Sequence, residues 1–241
     1  MSAGRPLNVV VTGGSGPSGI ATARALREAG HMVFTVGSDG PRIEAAAAEA
    51  GDGVVPLVCD LAVLADVRAL HATISGKAGM VDGVIHLVGG WRGAKGITDQ
   101  SDEDWDFLER GAITTLRNVT RVFYDDLAAS DTGRFAMVTS TAVATPTAAG
   151  ASYVASKAAA EAWTLAVAEG FSGEQPSASP EQHSAAVIFV VKGLVDAGMR
   201  AKYPGRSFPD FTDVTDLAAA AVGLFTAPAA ELNGQRLLLS R

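Results

Sequence analysis

The sequence predicts an α/β protein with a doubly wound, mostly parallel seven-stranded sheet and helices on both faces, in one domain spanning residues 1–241. Three observations predict this fold. Short apolar runs without polar alternation recur along the chain, as expected of strands buried on both faces. Helix-forming runs separate them, and strands that alternate with helices pair in parallel through right-handed crossovers. With 241 residues, 48% of them hydrophobic and 19% charged, the chain can bury a substantial core.

The first part of the chain repeats the order strand, turn, helix. The β-branched run 8–12 predicts the first strand, and the helix-forming run 20–29 follows a glycine cluster. Short apolar runs predict strands at 32–36 and 54–58. The alanine-rich stretch 42–50 between them predicts a helix.

The rest of the chain continues this alternation. Helical periodicity and short apolar runs are again the signals. The predicted helices are 63–75, 102–129 as one long or broken helix, 151–170 and 214–226. The predicted strands are 81–88, 134–139, 185–191 and 236–239.

Two segments interrupt the alternation. The polar stretch 172–183, with Pro176 and Pro180, predicts a mobile linker in place of a tight turn. Segment 193–209 carries glycines, prolines and aromatic residues, and it follows the carboxyl end of a strand, where open α/β sheets bind ligands. We interpret 193–209 as a substrate lid.

Composition excludes several classes of function. Nineteen basic and 26 acidic residues give a net charge of −7, which argues against binding to nucleic acid or to an anionic membrane surface. Apolar runs such as 185–191 are far shorter than the roughly 18 to 20 residues of a membrane span. Cys59 is the only cysteine, so neither an internal disulfide nor a thiolate metal cluster is expected. The acids at 99–104 suit the first turn of a helix, and we expect no metal site. No secretory signal precedes the first strand, which favours a cytoplasmic location.

The segment from Thr12 to Gly19 lies between the first predicted strand and the first helix and contains four glycines. Glycine lets the backbone turn sharply and approach a pyrophosphate, and a helix that begins near Ser18 offers free N–H groups and a positive dipole end. A glycine-rich turn without a ligand is the alternative. The strand and helix on either side favour dinucleotide binding.

This segment resembles the glycine motif of the short-chain dehydrogenase/reductase family, which reads TGxxxGxG in classical members and TGxxGxxG in others. Thr12, Gly13, Gly16 and Gly19 fit the second form, while Pro17 departs from the first and lacks an N–H donor. The resemblance implies a single NAD(P)-binding Rossmann domain. It also implies cofactor contacts from Gly13, Ser15, Gly16, Gly19 and Ile20.

The end of the second strand bears on the choice of cofactor. An acidic residue there would bond the ribose 2′-hydroxyl of NAD and repel a 2′-phosphate. Gly37 and Ser38 occupy this position, Asp39 comes slightly later, and Arg42 is within reach of a 2′-phosphate. The sequence therefore favours NADP over NAD, with Ser38 as a contact.

Further cofactor contacts follow from the resemblance. Asp60 matches the family aspartate that bonds the adenine amine, although a turn aspartate is the alternative; Leu61 follows it. Gly89 matches the glycine that closes the family's NNAG segment. Backbone groups of Leu194 and Val195 are expected to hold the nicotinamide.

Tyr153 and Lys157 lie four residues apart in a predicted helix, so both project from one helix face. Ser140 ends the strand 134–139 and precedes the tyrosine by thirteen residues, as in the family. The resemblance implies that Tyr153 transfers a proton to or from the substrate oxygen and that Ser140 polarises this oxygen. Lys157 would lower the pKa of the tyrosine and bond the nicotinamide ribose.

Several residues depart from the family pattern. Ala112 stands where many members carry the asparagine of a catalytic tetrad, Lys192 replaces a proline, and Ala197 replaces a threonine that holds the carboxamide. His86 is predicted to be a core residue rather than a catalyst.

Aromatic residues leave two interpretations open. Trp91, Tyr203 and Phe208 either line a substrate pocket or serve packing and subunit contacts. By resemblance, helices at 111–127 and 151–169 pair copies of the chain into a homodimer or homotetramer.

The leading hypothesis is an NAD(P)-dependent oxidoreductase that transfers a hydride to or from a small carbonyl compound or secondary alcohol. The first alternative is a nucleotide-binding sensor or scaffold protein with weak or no catalysis. Isomerase or dehydratase chemistry on a nucleotide sugar is a third possibility, but the short C-terminal part leaves little room for a sugar-nucleotide domain.

Overall fold

The computed structural model describes residues 5–174 and 182–239. Its strands are β1 Asn8–Thr12, β2 Met32–Gly37, β3 Val55–Val58, β4 Gly83–His86, β5 Arg134–Ser140, β6 Ala185–Val191, β7 Leu194–Val195, β8 Thr212–Asp213 and β9 Arg236–Leu238. Its α-helices are α1 Pro17–Glu28, α2 Gly40–Ala50, α3 Leu64–Ala78, α4 Asp102–Glu109, α5 Thr115–Ala129, α6 Ala151–Glu174, α7 Ala197–Lys202, α8 Val214–Gly223 and α9 Ala229–Leu232.

Within the described residues, seven strands form one sheet in the order β3-β2-β1-β4-β5-β6-β9. Every neighbouring pair is parallel. The strand order reverses between β1 and β4, where the loops that leave the two strands diverge and open a crevice at their carboxyl ends. The predicted doubly wound α/β fold is confirmed.

The sheet is covered on both faces. Helices α3, α5 and α6 pack on one face around Phe123 and Phe135. Helices α1, α2, α8 and α9 pack on the other around Leu26 and Phe189. Every residue of β1 and β6 is buried, which explains why these runs lack polar alternation. Each large side chain in these clusters contributes about 1.5–3 kcal/mol of burial free energy.

Several element boundaries differ from the prediction by a few residues, and three of these differences have a clear physical reason. Helix α1 begins at Pro17, because the first helical position needs no N–H donor and proline fits there. Strand β4 is shorter than 81–88, since the N–H of Val81 is bound by the carboxylate of Asp126 at 2.9 Å. The stretch 102–129 is broken by a π-helical turn, Arg110–Thr114, between α4 and α5.

The two segments that interrupt the predicted alternation are the expected linker, 172–183, and the expected lid, 193–209. Helix α6 continues to Glu174, and residues 175–181 of the expected linker lie outside the described residues. The expected lid, 193–209, contains β7 and α7, and β7 pairs with β8. Lys192 donates to a carboxylate oxygen of Asp210 at 2.9 Å, which ties this loop to the end of β6. In the described part of the chain no helix is both long and apolar enough to cross a membrane.

Candidate active site

The glycine segment forms a tight turn between β1 and α1. Gly13 has a φ of +72°, and a Cβ there would lie 2.7 Å from the carbonyl oxygen of Leu87. A Cβ at Gly19 would lie 2.5 Å from the carbonyl oxygen of Gly13. Gly16 is the N-cap residue of α1 and offers no side chain to the helix N–H groups. The turn therefore leaves the N-terminus of α1 open to an anion.

A cavity of about 530 Å³ lies over this turn and the ends of β2, β3 and β4. The predicted cofactor contacts that line it are Gly13, Ser15, Gly16, Ser38, Asp60, Leu61 and Gly89. The hydroxyl oxygen of Ser15 is buried and has no hydrogen-bond partner among the described residues. A buried hydroxyl beside a free helix N-terminus suits a phosphate oxygen, so these residues fit the pyrophosphate of a dinucleotide. Ile20 instead lines a separate depression next to Asp196.

The end of this cavity beside β2 and β3 contains two aspartates whose carboxylates are hydrogen-bonded within the chain. Asp39 is the N-cap of α2, and its carboxylate accepts the backbone N–H of Arg42 at 2.9 Å. Asp60 accepts the N–H of Ala62 at 3.0 Å and pairs with Arg110 at 2.6 Å. Asp60 is thus a turn aspartate as well as a cavity residue.

Arg42 lines the same cavity. Among the described residues, no carboxylate pairs with its guanidinium group, whereas Arg110 is paired with Asp60. The guanidinium of Arg42 is therefore a cationic group of this cavity without a carboxylate partner in the described part of the chain. Sequence reasoning missed Arg110, because the 50 residues between it and Asp60 give no local signal.

Ser140 and Tyr153 meet at the carboxyl end of β5. The hydroxyl of Ser140 accepts the N–H of Ala142 at 3.2 Å, which caps the short 3₁₀ turn Thr141–Val143. Burial raises the pKa of the Tyr153 phenol, and a hydrogen bond with Ser140 acts in the opposite direction. The resemblance led us to expect a pKa lowered by Lys157. Instead, the pKa of Tyr153 is raised, because the effect of burial is larger than that of the hydrogen bond with Ser140.

Lys157 is buried next to the carboxyl end of β5. Its Nζ donates to the carbonyl oxygen of Val138 at 2.9 Å. Burial lowers its pKa to about 8, and the carboxylate of Glu161 acts against this. A Cβ at Gly89 would lie 3.1 Å from Nζ, so the glycine makes room for the ammonium group.

Glu161 lies one helical turn beyond Lys157 and connects three elements. Its carboxylate accepts the hydroxyl of Thr139 at 2.7 Å and Nε of Arg236 at 2.9 Å. The hydroxyl of Thr139 is therefore committed to Glu161, while that of Ser140 bonds the tyrosine. Sequence reasoning missed Glu161, although its four-residue spacing from Lys157 was a readable signal.

His86 is a buried core histidine, as predicted, with 3% of its surface exposed. Its ring nitrogens lie 2.8 Å from the hydroxyl oxygen of Thr12 and 3.2 Å from that of Thr115. Burial, and secondarily the charge of Lys157, lower its pKa to about 3. His86 is thus a neutral bridge between β1, β4 and α5. Thr115, which also lines the 530 Å³ cavity, was not singled out from the sequence.

A second cavity, of about 700 Å³, adjoins the first and shares Ser18, Leu87, Val88 and Gly89 with it. Tyr153, Lys157, Leu194 and Trp91 are among its lining residues. Val195 is fully buried and does not line it. Tyr203 and Phe208 do not line it either, and Phe208 packs against Phe211 at a centroid distance of 5.7 Å.

The structure shows where the residues that depart from the family pattern lie, and where the clustered acids lie. Ala112 is buried in the π-helical turn between α4 and α5. Ala197 is the first residue of α7, which is capped by Asp196. The acids 102–104 form the first turn of α4. Among residues 5–174 and 182–239, no group of three or more histidine, cysteine, aspartate or glutamate side chains is arranged to hold a metal ion.

The family model for the short chain dehydrogenases matches residues 7–204. Nodulation protein G of Rhizobium meliloti (strain 1021) is 31% identical over 149 residues, which are 62% of this chain. The match spans only 60% of the length of that relative.

Two solved structures show the likeness in fold. A short chain oxidoreductase from Pseudomonas aeruginosa PAO1, described as containing an atypical catalytic center, has a TM-score of 0.84 at 20% identity and covers 97% of this chain and 95% of its own. A gluconate 5-dehydrogenase from Burkholderia cenocepacia J2315, in complex with NADP and tartrate, has a TM-score of 0.78 at 21% identity, with coverages of 97% and 93%. Since the family model matches most of its length, the chain belongs to the short-chain dehydrogenase/reductase family.

Proposed function

We propose that this protein transfers a hydride between NADP(H) and a small carbonyl compound or secondary alcohol, with Ser140, Tyr153 and Lys157 as its catalytic residues. The observation that carries the proposal is their arrangement. The phenol of Tyr153 is hydrogen-bonded with Ser140 and lines one cavity together with the ammonium group of Lys157. That cavity adjoins the one over the glycine turn. The nicotinamide, when bound, would supply or accept the hydride.

The three side chains have separate roles. A phenol with a raised pKa is protonated at neutral pH, and this is the form of Tyr153 that donates a proton to a substrate oxygen during carbonyl reduction. Ser140 does not itself line the cavity; we propose that, as the hydrogen-bond partner of Tyr153, it would polarise the same oxygen. Lys157, with a pKa of about 8, is mostly charged at neutral pH, and its field favours the phenolate that proton donation leaves behind.

The preference for NADP rests on charge at the adenosine end. Asp39 is bonded to the helix that it caps, and the nearby Arg42 has no carboxylate partner among the described residues. We expect Arg42→Gln to weaken NADPH binding about tenfold or more and to leave NADH binding nearly unchanged. Arg24→Gln, on the neighbouring helix, is the matched control. Calorimetric titration of both cofactors makes the comparison, and equal losses for both would contradict the preference.

The catalytic assignment is tested with Tyr153→Phe. This variant should lose the change in nicotinamide absorbance that the natural protein gives with a panel of ketones and alcohols, while it keeps its affinity for NADPH. Retained turnover in the variant would refute the role of Tyr153. Tight cofactor binding by the natural protein, without turnover on any member of the panel, would favour the sensor or scaffold alternative.

We also propose that copies of the chain associate through α5 and α6 into a homodimer or homotetramer in the cytoplasm. The proposal rests on the resemblance to the family, and Leu165 of α6, which is 42% exposed, would lie at this contact. Sedimentation equilibrium measures this association, and a monomer at micromolar concentration would contradict it.

A further inference from the structure

The 700 Å³ cavity has a one-sided distribution of charge. Three cationic side chains line it, Lys157, Lys192 and Arg206, and none of its lining residues is an aspartate or glutamate. The chain as a whole carries a net charge of −7, so the local sign is opposite to the global one. A cationic cavity in an acidic protein concentrates anions at that place.

The three cations are not equally available. Lys157 is buried and bonded to the carbonyl oxygen of Val138. Lys192 is paired with Asp210 at 2.9 Å. The guanidinium of Arg206 forms no ion pair with any carboxylate in the part of the chain that the structure describes, and its ring contact is with Phe208 at 5.3 Å.

Arg206 is carried by a loop that is anchored near both ends. The residues that precede and follow the loop are joined, because β7 pairs with β8 and the carbonyl oxygen of Gly193 accepts the N–H of Thr212 at 2.9 Å. The side chains of Lys192 and Asp210 form a second link between the two sides of the loop. The backbone N–H of Arg206 itself donates to the carbonyl oxygen of Tyr203 at 3.0 Å. The backbone of this loop is thus tied to its surroundings, while the side chain of Arg206 is exposed and lines the cavity.

The remaining wall around the lid is apolar and includes Trp91, Leu194, Met199 and Phe211. A ligand that matches this lining has a reducible carbonyl near Tyr153, an apolar segment, and an anion that reaches Arg206. The planar fork of a guanidinium group fits a carboxylate or a phosphate through two parallel hydrogen bonds.

We propose that the substrate is a carbonyl compound, or the corresponding alcohol, that carries an oxyanion, and that Arg206 is the residue that recognises this anion. The proposal rests on the proposed function for the position of the carbonyl, and on the charge of the cavity for the anion. Arg206 acts in binding and specificity, and the proton transfer stays with Tyr153.

The test compares ketones that carry an anionic group with uncharged counterparts that share the same ketone. Acetoacetate, levulinate and longer oxo acids are each measured against their methyl esters, and dihydroxyacetone phosphate is measured against dihydroxyacetone. These arms distinguish a carboxylate from a phosphate. The natural protein should prefer the charged member of at least one pair. Arg206→Gln should raise KM for that member about tenfold to a hundredfold, with little change for the uncharged one.

Two controls separate Arg206 from other effects. Lys202→Gln removes the same charge from the same lid at a residue that does not line the cavity, and it should leave the preference intact. The affinity of Arg206→Gln for NADPH, measured by calorimetry, should equal that of the natural protein. A loss of NADPH affinity would mean that Arg206 serves the cofactor, and this would overturn the proposal.

A binding measurement distinguishes failure of this proposal from failure of the proposed function. Thermal stabilisation of the NADP complex by the charged ketones, lost in Arg206→Gln, supports the anion site even where no ketone is turned over. Turnover of esters and acids with equal efficiency overturns the anion site and leaves the oxidoreductase assignment standing. Absence of any preference for charge in both binding and turnover also overturns it.

Discussion

The buried His86 predicts a specific loss of stability in mild acid. In the folded chain its pKa is about 3, because burial and the nearby Lys157 disfavour the charged ring, whereas an unperturbed histidine has a pKa of 6.5. Between these values the unfolded chain binds a proton that the folded chain does not. Stability contributed by the neutral ring is therefore fully present above pH 6.5 and is lost progressively as the pH falls towards 3.

The size of the effect follows from the difference in pKa. Each pH unit below the unfolded pKa costs about 1.4 kcal/mol, so lowering the pH from about 7.5 to about 5 should cost about 2 kcal/mol through His86 alone. His31 also has a pKa lowered by burial, and it adds to the total loss in the same direction. Only the difference between variant and natural protein isolates His86.

The variant is His86→Asn, which keeps a polar group near Thr12 but does not titrate. We expect it to be less stable at neutral pH and to lose about 2 kcal/mol less than the natural protein between about pH 7.5 and about pH 5. Urea unfolding followed by circular dichroism at a series of pH values measures both quantities. Thr115→Val is the matched control, because it removes a hydrogen bond to the ring and keeps the titrating group. If His86→Asn retained the full acid dependence, His86 would not be the neutral buried group described above.

Two further predictions concern the site. Gly19→Ala places a Cβ 2.5 Å from a backbone oxygen of the glycine turn, so we expect at least tenfold weaker NADPH binding by calorimetry; the control Gly76→Ala meets nothing within 4 Å and should bind normally. Glu161→Gln removes the charge that raises the pKa of Lys157. The alkaline limb of the pH–activity profile should therefore shift to lower pH than in the natural protein. Glu169→Gln, exposed on the same helix, should keep the natural pH profile, and an unshifted profile in Glu161→Gln would contradict the coupling.

The order of strands and helices was predictable because it depends on local patterns. Runs buried on both faces, such as β1 and β6, are apolar throughout, and this pattern is readable without a structure. The start of β4 was not predictable, since it depends on the carboxylate of Asp126, which reaches Val81 from a distant helix. The π-helical turn Arg110–Thr114 likewise lies within helix-forming sequence, and its position could not be read from composition.

The candidate site was predictable to the extent that its residues share a helix or a turn. Tyr153 and Lys157 are four residues apart, so their common face follows from helical geometry. The ion pair of Glu161 with Arg236 joins residues 75 positions apart and depends on the parallel pairing of β6 and β9. No sequence pattern links residues at such a separation.

The charge that each part of the site presents was the hardest property to predict from the sequence. It depends on which charged side chains are paired with one another, and composition does not show this. Asp39 and Asp60 follow the ends of β2 and β3, and their carboxylates are bonded to backbone N–H groups and, for Asp60, to Arg110. Arg42 and Arg206 each face a cavity without a carboxylate partner among the described residues. Since paired charges largely cancel and an unpaired guanidinium does not, these two arginines set the sign of the field where a 2′-phosphate and a substrate anion would bind. A neutral glutamine at either position should therefore change which anion is bound and leave the fold intact.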